Sequence, residues 1–389
     1  FQHAGGHPFL TLETLKSLAL GDPHLPGSLP VPAAAGALIE RSVQRLGDLA
    51  RDLLRLVVLA GSDLRLDVAG QVLGRPLIDL AHAWAELQRV QLVQASGALH
   101  DLVRDCVRAG LPTQARRTLR LALAQALSSQ PGTEPLRLAE HWIDGGAWPE
   151  AVLALRAAAQ QARLTGRLLE YEELLERAGD AARQAGDAAQ RFDALCLALT
   201  AHMMRCGAEA VLPRLTQELA HGGTPAQRSR LLVIRCEALL NAGRVEPALQ
   251  AGAVALALAE PGSVQHFEAV VLHSRALALC GQGEQATEAL ATALQAAPQF
   301  ADPAREMQAH AALAHAHFVA SRYEPAMAAQ RRALDIAHAL SDATEIAHNM
   351  SNLASIANQV GDVPLVYPLA SEAHQRFVAM RMFDGHFVM

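Results

Sequence analysis

From about Thr113 to the end of the chain, apolar residues recur every three or four positions, the spacing of one helical face. These runs are cut by short turns of a common form. Ala242-Gly243-Arg244-Val245-Glu246-Pro247-Ala248 matches Ala320-Ser321-Arg322-Tyr323-Glu324-Pro325-Ala326, and Gly146 to Ala151, Cys280 to Ala286 and Val360 to Val366 fall in the same frame. Gly207, Gly243, Gly281, Ser321 and Gly361 serve as anchors, spaced 36, 38, 40 and 40 residues apart. Glycine at positive φ ends one helix, and a proline in the first turn starts the next. The alanine that follows is placed where two helices cross. Each unit is then a helix hairpin that cannot bury its own apolar face, so stacked neighbours must form the core. The pattern predicts at least five such hairpins between about residues 130 and 389, wound as a right-handed superhelix with a concave face.

Before the repeats the pattern changes. Residues 21–36 hold Gly21, Pro23, Pro26, Gly27, Pro30, Pro32 and Gly36 and read as a linker. Helices are then predicted over Leu46–Ala60, Asp67–Leu73 and Leu77–Arg89, the first two closed by Gly61 and Gly74. Gln91–Val93 and Ala98-Leu99 can pair as a small wing around Ser96-Gly97. Short helices followed by such a wing describe a winged-helix-like domain, which divides the chain into 1–31, 32–112 and 113–389. Nucleic-acid binding does not follow. The third helix region carries Arg75 and Arg89 against Asp79 and Glu86, and the wing has no basic residue.

Composition agrees with an all-α chain: 51% hydrophobic residues, rich in Ala and Leu, with only 4% aromatics. A net charge of −6 argues against a spread nucleic-acid grip, and no uncharged apolar run is long enough to span a membrane. The start, Phe1-Gln2-His3, reads as a cut into a longer protein. Five scattered cysteines, Cys106, Cys196, Cys206, Cys236 and Cys280, suit reduced thiols in a cytoplasm, with Cys206 and Cys280 expected to pack in buried turns. The stretch Glu170 to Arg177 reads as a solvated helix face, Glu172 and Glu173 included. His310, His315 and His317 do not share one face and lack acidic or cysteine companions at ligand spacing, so no metal is expected. There is no G-x-x-x-x-G-K-[ST] loop, G-x-S-x-G turn or H-E-x-x-H helix. No catalytic residues are assigned, and the segment is not expected to be an enzyme.

Leu99-His100-Asp101, at a helix start directly after the wing, resembles the Met-His-Asp motif that ends the winged helix of STAND signalling ATPases. Leu99 stands where that motif prefers Met. Gly6-His7-Pro8, followed by the helical run Phe9 to Leu20, resembles the Gly-x-Pro motif of the same families. The resemblance implies that Gly6, Pro8 and His100 contact nucleotide, with Pro8 on the adenine and His100 at the phosphates of ADP. ATP or ADP would then belong to the full-length parent and not to this segment. The repeats resemble the tetratricopeptide superfamily, with a period longer than its usual one, similar to the maltose-regulon activator and its large LuxR-type relatives. The fold implied is a winged-helix-like domain followed by a tetratricopeptide-like right-handed α-solenoid. Its function would be that of the C-terminal part of a cytoplasmic, nucleotide-controlled bacterial transcription regulator. The solenoid would bind a protein, a peptide or a small-molecule effector, with no direct contact to nucleic acid or membrane. The alternative is a protein-binding scaffold without nucleotide control. In either case Arg331, Arg332, Asn349 and Asn352 (with Asn358) are candidates for the partner groove, since Arg and Asn clusters clamp peptide backbone and carboxylates.

Overall fold

The computed structural model describes residues 33–61, 64–93, 99 and 101–380. It is all-α: among the described residues the only β-type pairing is an isolated antiparallel bridge between Val93 and Leu99. Contacts divide the chain into two compact units, one up to Ala154 and one from Leu155 onward.

The first unit opens with α1 (Ala33–Gln44), α2 (Asp48–Ala60), α3 (Leu66–Leu73), α4 (Leu77–Arg89) and α5 (Asp101–Ala109). The first helix begins inside the stretch read as a linker, because the Ala33–Ala35 run has high helix propensity and Gly36 is tolerated so near the end. Gly61 and Gly74 close α2 and α3 at φ of 62° and 61°, and α4 has the limits its pattern predicts. Arg51 joins the first two helices by donating to the carbonyls of Val43, Gln44 and Leu46, the last at 2.8 Å. Leu53, Leu54 and Leu56 of α2 are fully buried and share a core with Leu80, Leu87 and Leu102. The bridging residue Val93 belongs to that core and Leu99 packs against it. The same core takes in Leu123 and Leu127 of α6 (Thr113–Ser128), which pairs with α7 (Pro135–Gly145).

Beyond these come α8 (Trp148–Leu164), α9 (Leu168–Ala185), α10 (Ala188–Cys206), α11 (Ala208–Ala220), α12 (Pro225–Asn241) and α13 (Val245–Leu258). They are followed by α14 (Val264–Leu279), α15 (Gly283–Ala296), α16 (Pro303–Val319), α17 (Tyr323–Leu340), α18 (Ala343–Gln359) and α19 (Val363–Ala379). The turns work as the sequence frame requires. Gly243, Gly281, Ser321 and Gly361 have φ of 71°, 82°, 57° and 76°. The amide one residue later reaches back five positions in each case: Arg244 to Leu239 O, Gln282 to Leu277 O, Arg322 to His317 O and Asp362 to Ala357 O, at 2.8–3.0 Å. This is the Schellman closure, which satisfies carbonyls that the helix end leaves open. Ala248, Ala286 and Ala326, five residues past their anchors, are 0% exposed, as expected for helix crossings.

Two expectations about this region are corrected. Cys206 and Cys280 are exposed, because each sits at the very end of a helix, where the turn rolls its side chain outward; the buried thiols are Cys196 and Cys236. Glu172 is not on a solvated face but 7% exposed, held between α9 and α10.

Candidate binding surface of the repeat unit

Curvature decides which face of the second unit is inward. The even-numbered helices α10, α12 and α14 each touch the next even-numbered one, up to α16, whereas the intervening odd-numbered helices have no comparable contact with each other. Closer spacing on one side places α10, α12, α14 and α16 on the inside of the bend.

On those helices the polar residues form an ordered row. Arg156 of α8, Asp193 of α10, Arg230 of α12, Glu268 of α14 and Arg305 of α16 alternate in sign and are 37, 37, 38 and 37 residues apart. Arg156 lies 3.7 Å from Asp193 and donates to Gln190 Oε1 at 2.5 Å. Arg230 pairs with the other oxygen of Asp193, and Arg305 stands 4.0 Å from Glu268 while pairing with Asp302. Each charge therefore faces an opposite charge on the neighbouring repeat.

A second row is set nearer the turns. Glu237, Arg275 and His315 occupy the position six residues before Gly243, Gly281 and Ser321. Burial raises the Glu237 carboxyl, and Arg275 beside it only partly restores it. Burial and Arg275 together push His315 down to about 4, so its imidazole is neutral at physiological pH. On α18, Glu345 is raised to about 7 by burial and by the like charges of Asp342 and Glu237, against Arg163 and Arg275. The thiols of Cys106, Cys196 and Cys236 are pushed up by burial to about 11, 12 and 12, and so are protonated and poor nucleophiles.

The residues singled out from sequence fall into two groups. Gly6, Pro8 and His100 lie outside the described residues. Arg331 and Arg332 are exposed on α17, and Arg332 reaches Glu306 of α16 at 3.3 Å. Asn349 is 2% exposed; it accepts from Gln330 Nε2 at 2.6 Å and donates to Glu345 O at 2.8 Å, tying α17 to α18. Asn352 and Asn358 are exposed on α18. Asn349 is thus committed to an internal bond, whereas Arg331, Arg332 and Asn352 are exposed. His310 stands 3.7 Å from Glu306 and His315 faces Arg275; among the described residues no group of three or more His, Cys, Asp or Glu could hold a metal ion. The alternating row was readable in principle: once the repeat frame is aligned, its charges recur near the same position of every first helix.

No family model and no curated protein matches the chain. Among solved structures, a signal transduction ATPase with numerous domains (STAND) carrying a tetratricopeptide repeat sensor, from Pyrococcus horikoshii, superposes with a TM-score of 0.59 over 95% of this chain at 16% identity. The chain spans 57% of that protein's length. A Rap protein complexed with competence and sporulation factor matches 69% of this chain and 72% of its own, at 13% identity and a TM-score of 0.40. Yeast Tom70 matches 88% of this chain and 61% of its own, at 11% identity and a TM-score of 0.35. The fold is that of a tetratricopeptide-like helical repeat solenoid, an architecture shared with the sensor-bearing ATPase. Among the described residues no helix is long and apolar enough to cross a membrane.

Proposed function

We propose that this chain is the C-terminal part of a nucleotide-controlled signalling ATPase of the STAND type, with the repeat unit as its sensor and partner-binding platform. The observation that carries this reading is the superposition of 95% of the chain on one such protein, in which the repeats are the sensor. The order of motifs supports it: Gly6-His7-Pro8, then short helices closed by the Val93–Leu99 bridge as in a winged helix, then His100-Asp101, then repeats. In this reading Pro8 and His100 close on ADP in the resting state, and the inward face of the repeats takes a protein or peptide partner or a small-molecule effector. Regulation of transcription in a bacterial cytoplasm is the output that the resemblance to large LuxR-type regulators suggests. The segment itself has no phosphate-cradling loop and is not expected to hydrolyse ATP.

The test is made on the parent protein. A G-x-x-x-x-G-K-[ST] loop in the reading frame upstream of Phe1, and ADP retained through purification, are expected. Charge-assisted contact of an imidazole with diphosphate is worth about 1.5–3 kcal/mol, so His100→Ala should speed ADP release roughly ten- to a hundred-fold and leave the melting temperature unchanged. Unchanged release with a lowered melting temperature makes His100 structural. An upstream frame without the loop leaves a partner-binding scaffold without nucleotide control.

A further inference from the structure

The second unit ends by returning to its own beginning. Arg163, in the last turn of α8, donates from Nη2 to Oδ2 of Asp342, 179 residues away. The Asp342 side chain is 1% exposed, and Arg163 is its only ion-pair partner among the described residues. Its other oxygen accepts from the amides of Thr344 and Glu345, each at 3.2 Å, and so caps α18. Around this pair lies a small apolar patch. Thr344 is fully buried and contacts Met380 Sδ at 3.7 Å. Gly166, at the turn after α8, leaves the space that the Met380 side chain occupies, since any Cβ there would overlap it. The Tyr171 ring of α9 is 6% exposed beside Arg163 and Asp342.

This joint differs from the others in the unit. Consecutive hairpins are covalently linked and share apolar cores, such as Leu199, Leu215, Leu231 and Leu239, or Phe267, Leu277, Leu290 and Ala312. The joint between first and last hairpins has no chain across it. Across it stand the buried Arg163–Asp342 pair, the contact of Met380 with Gly166, and the Tyr171 ring beside both charges. A buried ion pair of this kind contributes specificity of closure more than net stability, because desolvation offsets its attraction. Parting it would break no chain connection between consecutive repeats.

We propose that the Arg163–Asp342 seam is a latch: the repeat unit exchanges between the closed form described here and an open form in which the first and last hairpins part, and a partner reaches the inward face through the opened seam. The inference rests on the reading of the inward face as the binding surface.

Distance measurement between spin labels at Leu169 of α9 and Val378 of α19, both exposed, tests it on the whole chain without nucleotide or partner. The starting protein should give one short distance. Arg163→Ala leaves Asp342 buried without its counter-charge and should raise a longer-distance population at least about ten-fold, with the helical circular dichroism signal unchanged. Asp342→Asn keeps an acceptor for the α18 cap and should raise the same population to a smaller extent. Unchanged distances in both variants overturn the latch. Loss of helical signal in both also overturns it, because the seam would then be a folding contact. Since the readout needs no ATPase module, failure here leaves the proposed function standing, and a parent without a phosphate loop leaves the latch standing.

Discussion

Glu172 offers a measurable check on how this solenoid is held together. Its carboxylate joins α9 to α10, accepting from Arg205 Nε at 2.7 Å and from His202 Nδ1 at 2.8 Å. Burial raises this carboxyl, but the hydrogen bonds from Arg205 and His202 outweigh burial and leave it below the ordinary 4.5. A hydrogen bond to a charged group contributes about 1.5–3 kcal/mol. The side chains of Arg205 and His202 are 32% and 27% exposed, so water can take over part of their donor capacity once the carboxylate is gone. The cost of Glu172→Ala is therefore nearer one such bond than two, about 2–3 kcal/mol. For a unit of this size each kcal/mol moves the melting temperature by about 2–4 °C, giving a fall of roughly 4–12 °C at pH 7. The pH dependence has a definite sign. A carboxyl whose folded value is depressed contributes fully above its unfolded value, near 4.5, and loses that contribution as pH falls through the folded value. Thermal melts followed by circular dichroism should show the gap between the two proteins at pH 7 shrinking steadily below about pH 4.5. Equal melting temperatures at pH 7, or a gap that persists to pH 3, would refute the argument.

Glu345 should behave in the opposite sense: raised from 4.5 to about 7 in the folded chain, it favours folding on the acid side and loses that contribution as pH rises between those values. Glu345→Gln should match the starting protein near pH 4.5 and exceed its melting temperature at pH 8, and a variant less stable at pH 8 would contradict this. Ser321 holds a left-handed turn at φ of 57° that glycine adopts without steric cost, so Ser321→Gly should raise the urea midpoint by an amount equivalent to about 0.5–1 kcal/mol. A lower midpoint would mean that the serine hydroxyl makes a compensating contact.

What the sequence discloses and what it hides follow from the range of the forces involved. Turn positions are local: a glycine or serine at positive φ, a six-residue back-bond and a small residue at a crossing are all set within about ten positions, which is why the frame at Gly243, Gly281, Ser321 and Gly361 was legible. The limits of α4, Leu77–Arg89, were legible for the same reason, with Pro76 before its start. Polar side chains gave weaker information. Glu172 lies in a run of charges that reads as solvated, yet Arg205 and His202 one helix later draw it inside. Asn349 was a plausible groove residue because asparagine is usually exposed, but Gln330 of the preceding helix takes its side chain. The alternating row from Arg156 to Arg305 stands between these cases: each member alone is an ordinary surface charge, and only the repeat period aligns them. Ring closure is the least legible. It depends on small rotations summed over every hairpin between Arg163 and Asp342, and an error of a few degrees per repeat would carry those two groups apart. Nothing near either residue in sequence marks it as the other's partner, so a contact that gates the unit would be invisible to any local reading of the chain.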